Sequence, residues 1–538
     1  MKLALYFHTL RYLRPIQIFG RIAIKFRRPP PDLSPPPARR APVTSWQAPC
    51  RRPASMSAAD TFRFLGETRS IRTLGEWNDP AAEKLWLYNL HYFDDLNAEG
   101  GWERAEWHRQ LIERWVVENP TGRGNGWEPY PSSVRIVNWI KWTLDGGDLS
   151  AQALASLAVQ VRFLCGQLEF HLLGNHLLAN AKALVFAGLF FEGDEARQWL
   201  ERGLEILADE LPEQILGDGG HFELSPQYHS LILEDLLDLT NVARTFGNTL
   251  PINFGLIGAM RQWLAVMCHP DGEIAFFNDG AFDGAPRRDT LERYAARLGY
   301  APSQEPPPGI TYLEASGYIR LQHDAAVALL DVAPIGPSYL PGHGHADALS
   351  FELSVAGQRI VVNSGTSLYG TGPERQRQRG TAAHSTVVVD GADSSEVWGG
   401  FRVARRARVT VGATRDDAQM QEVEASHDGF RRLPGHNMHR RRWRLGRGML
   451  EVDDEVTGAF GWAEARFHLH PAIRISETAP GQVRFEGPDG VEGHFGVVGG
   501  ALRVEPGTWH PRFGTSIPNV CLVARLSGPK LQIRIQWR

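Results

Sequence analysis

The chain has 538 residues, 43% of them hydrophobic and 22% charged, enough to bury more than one core and to form two or three domains. Lys+Arg is 57 against Asp+Glu 61, a formal net charge of −4, which excludes the global basic field of a nucleic-acid binder. Cys50, Cys165, Cys268 and Cys521 form no CxxC pair, which excludes a cysteine zinc site or disulfide framework, and no apolar run reaches the ~18–20 residues of a membrane span.

The first elements are basic. MKLALYFHTLRYLRPIQIFGRIAIKFRRPPP begins like a signal peptide, but His8, Arg11 and Arg14 interrupt its apolar stretch and no small-residue cleavage site follows. It reads as an amphipathic segment that either lies on a membrane surface or, more plainly, packs on the protein's own first helices. Without a clear signal the expected compartment is the cytoplasm, with a periplasmic or membrane-peripheral position as the alternative. Residues 28–53 are dense in Pro and Arg, the composition of an extended connector.

From about residue 60 to 305, apolar residues recur at helical spacing in segments such as VRIVNWIKWTL, ALASLAVQVRFLCGQLEFHLL, HLLANAKALVFAGLFF and YHSLILEDLLDLTNVARTF, separated by short Gly, Pro and Asp turns. This predicts a train of antiparallel helices: bundle, solenoid or closed toroid. Beyond Pro306-Pro307-Pro308 the period falls to two, in SGYIRLQH, AAVALLDVA, LSFELSVAGQRIVVNSG, MLEVDDEVTG and LQIRIQWR, which predicts an antiparallel sandwich over 306–538. The expectation is an α+β multidomain chain: segment and connector over 1–59, helical domain over 60–305, strand domain over 306–538, with the site in the groove between the last two.

Three places hold more polar chemistry than their surroundings need. Asn175 and His176 open an apolar helix after Gly174, where Asn could simply be an N-cap. Gly219-Gly220, His221, Glu223, Tyr228 and His229 crowd a loop that enters another helix. His343 and His345, two apart in an extended chain, share a face, and Asn363 and His384 follow within about forty residues. One histidine alone would read as a satisfied core residue; this grouping points to a site, either metal or acid/base.

The segments GNHLLAN, GGHFELSPQYH and HGHADALSFEL…VNSGT.LYG…R…AAHSTV.VDG resemble, in the same order from about residue 80 to 460, the heparinase II/III-like family of polysaccharide lyases and alginate-lyase-like proteins, and are closest in character to members encoded with exopolysaccharide assembly genes. The resemblance implies an incomplete (α/α) toroid followed by an antiparallel β-sandwich, and a lyase that cleaves next to a uronic acid by β-elimination. That reaction needs the sugar carboxylate neutralised, a base for the C5 proton and an acid for the leaving O4. Asn175 matches the family's carboxylate-neutralising Asn, with His176 beside it as a supporting donor. Tyr228 matches the catalytic Tyr and His343 the base. His345, Asn363 and His384 fall where some members hold a structural Zn²⁺ with His, Asp and His. Here the central residue is Asn, an uncharged and weaker ligand, and His384 has an alternative role at the sugar. No other cofactor is implied.

Of the 57 cations only six are lysine (Lys2, Lys25, Lys84, Lys141, Lys182, Lys530), an excess of Arg that genome composition could explain and that also suits an anionic polysaccharide. Arg135, Arg375, Arg377, Arg379, Arg402 and Arg405 lie near the three blocks and could line such a groove, although each alone reads more plainly as a solvated charge. Trp127 and Tyr130 are candidates to stack on sugar, and Glu223 to touch it. Two other functions fit the same residues: a glycoside hydrolase using Glu223 and Asp279 as its carboxylate pair, or a glycan-binding protein of exopolysaccharide assembly without turnover, to which Asn363 points.

Overall fold

Ser150 and Ser225 each accept the backbone N–H three residues on, and Pro129 and Pro226 occupy first helical turns, so the strongest helix starts are set locally. In the computed structural model, which describes residues 2–26, 30–250, 254–479 and 481–538, the helical half contains Lys84–Tyr92, Ala105–Glu118, Pro129–Leu144, Ala151–Cys165, Gly174–Phe190, Asp194–Gln214, Pro226–Thr245, Phe254–Met267 and Arg288–Arg297. Gly174–Phe190 is buried on nearly every face, as an all-round apolar helix must be, and packs between Pro129–Leu144, Asp194–Gln214 and Pro226–Thr245. Its Gly188 permits the close approach of Asp194–Gln214, since a Cβ there would lie 2.5 Å from the Leu200 nitrogen. The helices form the toroid.

The sequence put helices from about residue 60. Instead the chain first makes a three-stranded antiparallel sheet from Met56–Ala58, Thr61–Phe64 and Glu67–Ser70, turning at Leu65 and Gly66, both at positive φ. The Pro/Arg-rich connector is extended as its composition predicts, and it is strapped to the toroid: Arg40 N–H donates to Phe190 O and Val43 N–H to Thr245 O, both at 2.8 Å, and Arg52 pairs with Glu234 at 2.7 Å.

The strand half is built on two antiparallel sheets of nine and eight strands, with a two-stranded ribbon of Val397–Trp398 and Arg402–Val403 beside them. Inward residues of one, such as Ile319, Leu353 and Phe467, share a core with Trp443, Val452 and Ile533 of the other. The run HRRRWR alternates as strand geometry requires: Arg440, Arg442 and Arg444 point outward, whereas Arg441 is buried and donates to Asp454, Leu349 O and Ser385 O. A smaller apolar cluster, including Leu224, Trp263, Phe277, Tyr318 and Leu329, joins toroid to sandwich and fixes the groove above it.

Candidate functional site

The groove floor is organised by Asp279. Its carboxylate accepts from His343 Nδ1 and His345 Nε2, both at 2.9 Å, from Thr366 Oγ1 at 3.2 Å, and from both terminal nitrogens of Arg375. Burial would lift its pKa, but the adjoining Arg375 charge and the two imidazole donors hold it well below the usual carboxylate range. Asp279 is therefore an ion throughout, and its imidazole partners must each carry a proton on the nitrogen facing it. The His343 nitrogen turned away from Asp279 is Nε2.

His343 stacks on Tyr228, ring centroids 3.7 Å apart and planes 28° from parallel, and the Tyr228 hydroxyl bonds that of Tyr369 at 2.8 Å. Burial pushes the Tyr228 phenol well above its ordinary pKa, so it stays protonated. Glu223 links the toroid to this pair. Its Oε1 accepts the Asn175 N–H at 3.0 Å, at the open start of Gly174–Phe190, and its Oε2 lies 3.4 Å from His343 Nε2. Burial raises the Glu223 pKa, partly countered by His343 and the Asn175 amide. Gly174, at φ +59°, is required here: a Cβ would sit 2.6 Å from Glu223 Oε1 and 2.4 Å from Leu340 Cδ2. Beside Asn175, His176 Nδ1 lies 3.0 Å from Glu169 Oε1 and the His176 ring packs 4.6 Å from that of Tyr130. Burial disfavours charge on His176, yet Glu169 outweighs it and the pKa is raised.

Asn175, His176, Tyr130, Glu223, Tyr228 and His343 thus come together in one groove. The other expected substrate contacts do not. Arg135 is wholly buried, stacked 3.8 Å over Trp115 with its guanidinium donating to Gln160 and His91 O. Trp127 is packed between Trp115 and Phe163. Arg375 is committed to Asp279, and Arg379 donates to Gly344 O and Gly400 O, bracing the loop that carries His343. Arg377 and Arg405 are exposed and pair with Glu374 and Glu396, and exposed Arg402 packs on Trp398. His384, expected at the sugar, is 1% exposed, with Nδ1 bonded to Gly380 O and Nε2 turned inward toward His345 Nδ1.

Sequence reasoning missed Tyr369, Glu169 and the organising role of Asp279. Tyr369 lay within the quoted LYG element; Glu169 and Asp279 carried no local signal.

Residues 106–304 match the description "Heparinase II/III N-terminus" and residues 305–538 "Heparinase II/III-like, C-terminal". The chain belongs to the heparinase II/III family. Among relatives of this heparinase II/III chain, "Heparin-sulfate lyase" of Bacteroides stercoris is 27% identical over 342 residues, 53% of this chain and 50% of that one, so the chain spans about half the length of that lyase. "FtsZ-localized protein C" of Caulobacter vibrioides is 26% identical over 461 residues, 78% of this chain and 76% of the other. The solved "Crystal Structure of Heparinase III" superposes with a TM-score of 0.70 at 18% identity, covering 88% of this chain and 80% of that one, which shows the same fold.

The zinc that the family resemblance attaches to His345, Asn363 and His384 finds a different ligand set. The Asn363 amide donates to Phe276 O at 3.0 Å and to Ser350 Oγ, and its Oδ1 accepts the Ser385 N–H at 2.9 Å, so both ends of the amide are committed to the protein. The carboxylate that converges with the two imidazoles is Asp347, all three ligand atoms lying within 4.8 Å. His345 Nε2 must donate to Asp279 and His384 Nδ1 to Gly380 O, so the nitrogens facing each other at 3.1 Å are both lone pairs. Burial lowers both histidines, His345 to about 4, which opposes a bridging proton and favours a cation between them. His345, Asp347 and His384 could hold Zn²⁺, which would there lock the loops behind Asp279.

Proposed function

We propose that this protein is a polysaccharide lyase that cleaves beside a uronic acid by β-elimination. The observation that carries the reading is the His343–Tyr228 stack beside Asn175, linked to it through Glu223. The Asn175 side-chain amide makes no hydrogen bond among the described residues, so it is open to a sugar carboxylate, and His176, whose pKa is raised by Glu169, adds a second donor. Together they stabilise the charge that develops when the C5 proton leaves. His343 Nε2, its imidazole oriented by Asp279, takes that proton. Tyr228, kept protonated by burial, gives its proton to O4 and is supported through the hydroxyl of Tyr369. Tyr130, packed on His176, borders the sugar site.

The hydrolase alternative loses its second carboxylate, because Asp279 is buried beneath four donors and cannot exchange a proton with a sugar. One observation favours a second reading: a match covering 78% of the chain is to a protein named for localisation with FtsZ and not for cleavage. On that reading the same groove binds glycan without turnover. Incubating the protein with uronate polymers, exopolysaccharides included, and following ultraviolet absorbance of a C4–C5 unsaturated product tests the lyase. Polymer binding with no new unsaturated or reducing ends refutes it in favour of the second reading.

A further inference from the structure

The N-terminal helices Lys2–Leu10 and Pro15–Phe26 carry apolar side chains that nothing covers. Eight of the 17 large hydrophobic side chains exposed among the described residues lie here: Leu3, Tyr6, Phe7, Leu10, Ile16, Ile18, Phe19 and Ile22. Leu3 is 87%, Phe7 64% and Phe19 69% exposed. Leu3, Phe7 and Leu10 fall at i, i+4 and i+7 on one helix, and Ile18 and Ile22 at i and i+4 on the next, so these are faces and not scattered residues.

The charge around these faces is of one sign. Residues 1–31 contain seven Lys or Arg (Lys2, Arg11, Arg14, Arg21, Lys25, Arg27, Arg28) and no carboxylate before Asp32, in a chain whose formal net charge is −4. An apolar face with a cationic border matches the boundary between acyl chains and anionic head groups. A second copy of the chain is the poorer occupant, because residues 1–31 carry seven Lys or Arg and no carboxylate, and of the described ones only Arg14 is paired with a carboxylate, that of Glu213, so apposing two such faces sets like charge against like.

The pair is also fastened beside the groove. Trp398 Nε1 donates to the Thr9 hydroxyl at 3.1 Å, and Tyr6 meets the Trp398 ring edge-on at 4.8 Å. Gln17 Nε2 donates to Tyr339 O at 3.2 Å, Arg14 lies 3.7 Å over the Tyr339 ring, and Gly20 sits so near His171 that a Cβ would be 2.8 Å from its Cβ. Tyr339 and His171 belong to the loops that lead to His343 and Asn175.

We propose that the two N-terminal helices form an interfacial anchor that seats this protein on an anionic lipid bilayer, their exposed apolar faces at the acyl boundary and their cations on lipid phosphates. The anchor brings the groove loops to the membrane surface.

The test is flotation of the full chain with vesicles of phosphatidylcholine with and without phosphatidylglycerol. Expected is binding that requires phosphatidylglycerol, weakens with salt, and falls at least roughly tenfold in Phe7→Ser/Phe19→Ser and in Arg11→Glu/Arg21→Glu, with thermal unfolding unchanged because all four side chains are exposed. Leu3→Ser/Ile22→Ser repeats the apolar test should the phenylalanine pair unfold. Failure of the native chain to float with either vesicle overturns the proposal, as does binding indifferent to these substitutions. Light scattering that shows a dimer dispersed by Phe7→Ser/Phe19→Ser also overturns it and assigns the face to a second copy.

Discussion

The imidazole of His343 and the phenol of Tyr228 lie face to face at 3.7 Å while bonding in opposite directions, His343 down to Asp279 and Tyr228 across to Tyr369. Each ring fixes the other's position; the phenol is kept protonated by burial, and the imidazole, tied to Asp279 through Nδ1, has Nε2 turned away from that carboxylate. Base and acid are therefore separable by substitution. Tyr228→Phe keeps the stack and removes only the proton; His343→Ala removes the base. Each should lower turnover about 10²–10⁴-fold on a polymer the native protein cleaves, with circular dichroism unchanged. Near-native turnover in both variants would show that the stack has no part in the chemistry.

The second prediction concerns pH. His176 has a raised pKa because Glu169 outweighs its burial. Tyr130 and Glu223 also face it, and of these the Glu223 carboxylate adds to the upward shift. The cation that assists Asn175 is present below this raised pKa and lost as pH rises through it. Glu169→Gln removes the main support, so the alkaline limb of the rate profile should move to lower pH with little change at acid pH. A role confined to packing would instead lower the rate equally at all pH values. The sign for stability is the same: the Glu169–His176 pair contributes below the unfolded imidazole pKa of ~6.5 and fades as pH passes the folded one.

Period and composition sufficed for a helical half and a strand half because those signals are local; the closure of the helices into a toroid was implied only by the family resemblance. Asn175, Tyr228 and His343 could be picked out because polar residues were out of place beside apolar runs. The arginines could not be sorted in this way. Arg375 meets Asp279 from 96 residues away, and Arg135 is held by an indole face and neutral acceptors, so nothing near either in sequence distinguishes a buried cation from a groove cation. Asn363 misled for a related reason. Its spacing from His345 fits a ligand, but its amide is held by the Phe276 carbonyl, the Ser350 hydroxyl and the Ser385 N–H, and it is Asp347, two residues from His345, whose carboxylate converges with the two imidazoles.

That exchange gives the third prediction. If His345, Asp347 and His384 hold zinc, titrating the chelated protein with Zn²⁺ should raise its melting temperature, the stabilisation reaching about 2.7 kcal/mol at 100 times Kd. Asp347→Asn and His384→Gln should each abolish the rise and the bound zinc measured by elemental analysis, whereas Asn363→Ser should retain stoichiometric zinc. Zinc retained in Asp347→Asn and lost in Asn363→Ser would restore the ligand set that spacing suggested.

The fourth prediction separates two arginines two residues apart. Arg375 is buried and is the cation that compensates Asp279, whose remaining donors are neutral or titratable. Removing it in Arg375→Ala leaves a buried carboxylate surrounded by two imidazoles, and breaking a buried pair in this manner costs about 3–5 kcal/mol. Arg377 makes an ion pair with Glu374 in which both side chains are 43% exposed, so water competes for each and Arg377→Ala should cost only ~0–1 kcal/mol. Chemical denaturation of the two variants measures the contrast. Replacing Asp279 as well, in Asp279→Asn/Arg375→Met, should recover part of the loss, because the penalty in the single variant comes from the orphaned charge and not from the missing contact. A double variant no more stable than Arg375→Ala would instead place the cost in the guanidinium's bond to Gly400 O and its packing on Tyr369 and Phe401.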